Sequence, residues 1–174
     1  MILETTRVRL RKLSVEDAEF IFRLLNEPSF IQNIGDKGVR SLEDARLYIL
    51  NGPVASYQKF GFGLWMIEIK DTAEPVGICG LLKRDQLEDV DIGYALLPEF
   101  FGKGYAVEAA AAVVGYAAEA LGFERVVAIV NSCNQSSIRV LEKIGFEFER
   151  MIRLSEDAVE LKLYGKRLAE KYLR

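Results

Sequence analysis

The stretch from Val90 to Val130 constrains the fold more than any other part of the chain. An apolar run, Val90 to Leu97, passes through Pro98 into a turn that holds Gly102 and Gly104. Ala106 to Leu121 follows, an alanine-rich segment long enough for about four helical turns and stopped by Gly122. Val126 to Val130 is then an unbroken apolar run, β-branched except at Ala128, the pattern of a strand covered on both faces. Strand, helix and strand in that order make a β-α-β crossover, the connection that parallel neighbours require. A sheet with a parallel pair, covered by helix, is therefore expected.

Around this unit the chain reads as antiparallel strands and amphipathic helices. Val8, Leu10 and Leu13 stand against Arg7, Arg9 and Arg11 as in a half-buried strand. Ser14-Val15-Glu16-Asp17 and Ser41-Leu42-Glu43-Asp44 each set a hydroxyl at a helix N-cap with an acid three residues on, and Pro53 is expected to bound the second helix. Asn33 to Gly38 reads as a loop between them. Gly63 to Ile69, Val76 to Leu82 and Val90 to Leu97 are apolar stretches parted by charged turns, the signature of a meander. Past the crossover, Asn134 to Lys143 reads as a short helix with Asn134 as N-cap and Gly145 as stop. Phe146 to Leu154 and Val159 to Tyr164 read as a hairpin around Ser155-Glu156-Asp157. The class is α+β, and with no repeat, linker or low-complexity segment a single domain over 1–174 is expected.

Composition removes several kinds of chemistry. There is no histidine, so neither a Ser-His-Asp triad nor a Cys-His dyad can exist. Cys79 and Cys133 lack CxxC spacing and read as buried small hydrophobes, and no metal site is indicated. Lys plus Arg is 23 against 26 for Asp plus Glu, so no basic excess points to nucleic acid. No stretch approaches the ~20 apolar residues of a membrane span, and Met1 to Arg11 lacks the apolar run of a signal peptide. A reducing cytoplasm is the expected location, and the small acidic excess is compatible with cationic substrates.

The chemistry is concentrated where a strand meets a helix. Gly102-Lys103-Gly104-Tyr105-Ala106 opens the alanine-rich helix, whose first N–H groups have no intrahelical partner and whose dipole favours an anion. Two readings fit this turn, a diphosphate site or a tight turn and nothing more. It is too short for a P-loop and lacks the third glycine of a dinucleotide fingerprint. A second segment runs Val130-Asn131-Ser132-Cys133-Asn134-Gln135-Ser136-Ser137, then Leu141 to Phe146. Taken together, Gly102 to Ala106 with Glu108-Ala109, and Asn134-x-x-Ser137 through Lys143-x-Gly145-Phe146, resemble the GNAT (Gcn5-related N-acetyltransferase) superfamily, and within it the RimJ/RimL-like ribosomal-protein N-acetyltransferase branch. The order of elements along all 174 residues fits, from Thr6-Arg7-Val8-Arg9-Leu10-Arg11 onward.

The resemblance implies a mixed, mostly antiparallel central sheet of about seven strands with flanking helices, its parallel fourth and fifth strands (Val90 to Leu97 and Val126 to Val130) splayed around acetyl-CoA. By the same analogy main-chain groups of Leu96 and Leu97 hold pantetheine, amides of Gly102, Lys103, Gly104, Tyr105 and Ala106 hold the pyrophosphate, and an N–H of Tyr94 or Ala95 faces the thioester oxygen. Asn131 and Asn134 belong to the same cofactor-binding set, with Asn134 on the pantetheine arm. Lys103 either adds charge to a phosphate or points into water. Gly93 is consistent with a bulge or a close backbone approach. Ser137 would sit near the sulfur and protonate the departing thiolate; Asp91 would take the amine's proton, through water. Two positions depart from the wider superfamily: Leu141 stands where many members have a tyrosine acid, and Phe101 where many have Gln or Arg.

The implied activity is transfer of an acetyl group from acetyl-CoA to a primary amine, a protein N-terminus or a small molecule, by direct attack in a ternary complex. The alternative is a CoA-binding module without turnover, favoured by Leu141 and by the short Asp91. Asp85, Glu88 and Asp89 either attract a cationic acceptor or form a solvated turn. The loops Ile31 to Arg40 and Arg153 to Val159 carry no readable code for the acceptor, and monomer and homodimer fit the sequence equally.

Overall fold

A computed structural model describes residues 1–168. An eight-stranded sheet runs through the molecule: β1 Leu3–Glu4, β2 Val8–Lys12, β3 Leu64–Ile69, β4 Pro75–Leu82, β5 Asp91–Leu96, β6 Arg125–Val130, β7 Glu147–Ile152 and β8 Leu161–Arg167. Their order is β1-β2-β3-β4-β5-β6-β8-β7, and every pairing is antiparallel except β5 with β6. The extra strand relative to expectation is β1, two residues that fold back on Leu10 and Arg9. It is too short for an alternating pattern to show. The last strand lies at Leu161–Arg167 and not at Val159 to Tyr164, because its register is set by pairing along the whole of β6.

The helices are α1 Ala18–Leu25, α2 Pro28–Asn33, α3 Leu42–Ile49, α4 Ala55–Phe60, α5 Tyr105–Glu119 and α6 Gln135–Lys143. Ser41 caps α3 as expected, its hydroxyl accepting from Asp44 N–H at 3.0 Å. Pro53 does not end that helix. The chain continues through a wide π-type turn, Leu50–Val54, straight into α4. A π turn already breaks the i to i−4 ladder, so the missing proline N–H costs less there than in a regular helix. Gly61, at φ +79°, is the actual stop. The short α2 takes Pro28 at its first turn, where no donor is needed, and ends at Asn33, the first residue of the expected loop.

Cross-strand partners share a face of the sheet, and this assigns each face its residues. Trp65, Cys79 and Tyr94 are successive partners across β3, β4 and β5. Trp65 meets Tyr116 of α5 edge-on at 5.4 Å between centroids, so these residues lie on the α5 side. Leu64, Gly80 and Gly93 form the neighbouring row, and Leu82 with Asp91 the next, both on the opposite side. Helix α5 seats Ala109, Ala110, Val113 and Ala117 without exposure; their small side chains let it lie close to the sheet. Glu68, buried on β3, is held between Arg9 (2.7 Å) and Arg11 (2.6 Å).

The ladder between β4 and β5 is unbroken from Gly77/Leu96 to Leu82/Asp91. Gly93 therefore marks no bulge. A Cβ there would meet Leu82 Cδ1 at 3.2 Å and Leu64 Cδ2 at 3.6 Å, so the close neighbours are side chains. The irregularities in the sheet fall instead at Ile67/Glu68 and Phe148/Arg150.

Candidate active site

The turn before α5 presents a row of free backbone donors. Gly102 and Gly104 take φ of +72° and +84°, conformations that L side chains rarely adopt, and Gly104 caps α5 without any side-chain hydrogen bond. Phe101 N–H donates to Pro98 and Glu108 N–H to Gly104, but the amides from Gly102 to Val107 have no partner among the described residues. Carbonyls of the same turn are held elsewhere: Arg7 Nη1 donates to Lys103 O at 2.8 Å. Arg7 is itself fixed by Glu108 of the first helical turn, which accepts from Arg7 Nε and Arg7 N–H at 2.7 Å each and from Thr5 Oγ1 at 2.6 Å. Burial alone would raise the Glu108 carboxyl, yet these bonds from Thr5 and Arg7 keep it below the usual range. Arg7 also stacks over the Tyr105 ring at 4.8 Å, adding positive charge beside the loop. Open amides, a helix N-terminus and open space above Gly102 fit a diphosphate. Lys103, exposed, rests its ammonium 5.6 Å from the Phe100 ring.

The second element is a gap in the sheet. The parallel pair β5/β6 joins only at Asp91 and Val127, with Val127 N–H donating to Val90 O at 3.0 Å; beyond this the strands separate. The phase of the backbone decides which residues face the opening. Leu97 N–H donates to Val76 O at 2.9 Å, and since donors alternate along a strand, Ala95 also points to β4. The main-chain groups of Tyr94 and Leu96 then face the gap. This corrects two expectations: Leu97 offers no free amide for pantetheine, and of Tyr94 and Ala95 only Tyr94 can aim an N–H into the opening.

Tyr94 contributes a side chain as well, which sequence reasoning missed. Its phenol lies 2.9 Å from Ser137 O and 2.8 Å from Ser137 Oγ, crossing from β5 to α6. Burial holds this phenol well above the usual tyrosine pKa, the Ser137 contact only partly opposing, so it stays protonated and able to donate. Leu141, one turn beyond Ser137, is 1% exposed within the core. A phenol is thus supplied from the strand and not from the helix. The sequence signal was faint: a tyrosine amid small residues, 43 positions from its partner.

Asn134 Oδ1 accepts from Ser137 N–H at 3.2 Å, which makes it the N-cap of α6; its Nδ2 has no partner among the described residues. Asn131 Oδ1 accepts from Cys133 N–H at 3.0 Å and shapes the loop before α6. Cys79 is buried as expected, its thiol raised by desolvation. Cys133 is not: it is exposed, because the loop carries it outside the core.

Asp91 sits where the gap closes, on the face opposite Tyr94. It is 1% exposed, with Arg84 Nε at 3.1 and 3.2 Å from its two oxygens. Desolvation pushes its pKa up to about 6, against the pull of Arg84. A carboxylate so placed changes charge near neutral pH. Asp91 and Ser137 do not touch; strand alternation puts the carboxylate and the Tyr94–Ser137 pair on opposite sides of the same opening. Among the described residues no grouping of His, Cys, Asp or Glu is arranged to hold a metal ion, and no helix is long and apolar enough to cross a membrane.

Comparison with known proteins agrees with this geometry. Residues 7–147 match the family model described as an acetyltransferase (GNAT) domain. The uncharacterized N-acetyltransferase YoaA of Bacillus subtilis (strain 168) is 35% identical over 153 residues, 87% of this chain and 86% of that protein. An acetyltransferase of Agrobacterium tumefaciens superposes with a TM-score of 0.81 at 26% identity, covering 95% of this chain and 94% of that one. RimL, a ribosomal-protein alpha-N-acetyltransferase solved in complex with coenzyme A, shares the fold at a TM-score of 0.81 and 21% identity, covering 96% of this chain and 97% of the other. A matched family model over most of its length and a relative above 30% identity lead to one conclusion: this chain belongs to the GNAT acetyltransferase family.

Proposed function

We propose that the protein transfers an acetyl group from acetyl-CoA to a primary amine by direct attack within a ternary complex. The observation that carries this reading is the row of amides from Gly102 to Val107 at the start of α5, without partners among the described residues, beside the gap between β5 and β6. Gly102 to Ala106 would hold the diphosphate, and the open edge of β5 at Tyr94 and Leu96 the pantetheine amides, with Asn134 Nδ2 and the Asn131 loop on the far bank. When bound there, the coenzyme supplies a thioester whose acetyl group an amine can take.

The chain's own groups manage charge and protons around that transfer. Tyr94 N–H provides a fixed donor on the bank where oxygen charge develops. Ser137 Oγ, in contact with the Tyr94 phenol, can pass a hydrogen bond toward the sulfur side. Asp91, ionised above about pH 6, accepts the amine's proton through water from the other face. Arg84 keeps that carboxylate oriented while burial keeps it basic.

Thiol release from acetyl-CoA over a panel of amines and N-terminal peptides, with calorimetric titration of CoA, tests the reading. Binding of CoA together with turnover, reduced at least tenfold by Asp91→Ala and by Ser137→Ala, is the expected result. Binding without turnover on any amine would replace this reading by a CoA-binding module. No heat on adding CoA would remove both.

A further inference from the structure

We propose that the acceptor amine also carries an anionic group, a carboxylate or a phosphate, received by the outer edge of the Arg84 guanidinium beside Asp91, on the face of the sheet opposite α5, with Lys37 adding positive charge. This rests on the acetyltransferase reading and names the substrate class of that same site.

On this face a cavity of about 310 Å³ lies between α3, α4 and the ends of β3 and β4, with Tyr48, Asn51, Ser56, Lys59, Leu64 and Lys83 among its walls. Its apolar edge, Leu64 and Leu82, is the pair of side chains that lies over Gly93, and Leu82 is the register partner of Asp91. The absent side chain at Gly93 thus keeps this wall low beside the proposed base. Among the described residues no carboxylate lines the cavity; the charged groups there are Lys59 and Lys83.

The residues next to it continue the same sign. Arg84 uses Nε for Asp91, and its Nη1 and Nη2 have no partner among the described residues. Its side chain is 34% exposed, so this outer edge of the fork reaches open space. Lys37 has no ion-pair partner among the described residues, because Asp36 beside it is taken by Arg40. Desolvation and then the Arg84 charge lower the Lys37 ammonium, although the residue is exposed. Burial raises the phenol of Tyr48 on the cavity wall, and the Arg84 charge opposes it. In the acidic turn Asp89 is paired with Arg125 at 3.0 Å and the Lys83 ammonium donates to the carbonyls of Leu87 and Glu88, while the Asp85 and Glu88 carboxylates have no ion-pair partner among the described residues.

In a chain of net charge −3, the proposed acceptor side thus still offers the outer edge of the Arg84 guanidinium, beyond its bond to Asp91. A polyamine would meet repulsion there. An amine with a carboxylate or phosphate would place its anion on the free guanidinium edge, a geometry that arginine serves with paired donors, and leave its nitrogen toward Asp91.

Matched acceptors test this in full-length protein with acetyl-CoA: serine against serinamide, phosphoethanolamine against ethanolamine, and spermidine. The expected result is a kcat/KM at least tenfold higher for the anionic member of at least one pair, with that ratio falling severalfold in Lys37→Gln and largely lost in Arg84→Gln. The two pairs separate carboxylate from phosphate. Ratios within twofold of unity, preference for spermidine, or ratios unaltered in both variants would overturn the proposal while leaving acetyl transfer standing. Turnover of none of these acceptors would also overturn it, and the separate CoA titration then reports whether the coenzyme site survives.

Discussion

Replacing Asp91 with asparagine should change how stability responds to pH, in a direction and by an amount that the structure sets. In the unfolded chain this carboxyl titrates near its ordinary 3.8; in the fold, burial moves it to about 6. Between those values the unfolded chain releases the proton while the folded one keeps it, so stability contributed at Asp91 is full below about pH 4 and declines as pH rises to 6. A difference of about two units, at ~1.4 kcal/mol each, gives a loss of about 3 kcal/mol, complete just above pH 6. Asparagine has no such proton. Urea unfolding, read from the fluorescence of the single tryptophan, Trp65, should show the stability of Asp91→Asn minus that of the parent rising by about that amount from pH 4 to 7. Subtraction cancels the acids that behave oppositely, such as Asp17 and Glu108, whose depressed pKa values stabilise the fold above pH 4 and weaken it below. Parallel pH curves for the two proteins would refute the argument, and the assignment of Asp91 as a base active above about pH 6 would fall with it.

Other perturbations probe separate parts of the site. Arg7→Ala releases the Lys103 carbonyl and one side of the Glu108 brace, and calorimetry should show CoA binding weakened about tenfold, consistent with loss of one or two partly exposed charge-assisted bonds; unchanged affinity would show that the loop orients itself. Tyr94→Phe keeps the ring and removes the contact with Ser137, so kcat should fall about tenfold or more with little change in KM for acetyl-CoA. Gly80→Ala puts a Cβ 2.0 Å from Gly63 O, forcing β3 and β4 apart at a cost of about 3 kcal/mol in chemical unfolding. Ser41→Ala should cost only about 1 kcal/mol, the value of one N-cap.

What could be read from the sequence followed from short-range rules. Glycine at 102 and 104 announces a turn that other residues resist, and an alanine-rich run after it announces a helix start with open donors; both features survive in the structure. The Asn134 and Ser41 caps were legible for the same reason, since a cap needs only its own three following residues. Distance in the chain defeated the rest. Arg84 reaches Asp91 across the β4–β5 turn, Tyr94 reaches Ser137 from another element, and nothing local encodes either contact. The phase of β5 was also hidden: whether Ala95 or Tyr94 faces the gap depends on which residues of β4 pair with it, and a strand pattern reveals side-chain faces but not the direction of its amides. Pro53 misled because a breaker rule assumes a regular helix, and the wide turn there is not one.

The unbroken register of β4 with β5 has a consequence for how the protein tolerates change. Because alternate residues occupy opposite faces, a slip of a single position would carry Asp91 to the α5 side and swing Tyr94 away from α6, exchanging the acidic and phenolic banks. One glycine stands guard over this alignment: Gly77 lies where a methyl group would strike Ala95 O at 2.2 Å, while Gly80 seats the neighbouring β3–β4 pair, where one would strike Gly63 O at 2.0 Å. Such tight backbone seats resist displacement of the strand on either side of β4, so the polarity of the cleft leans on a position that never touches a reactant.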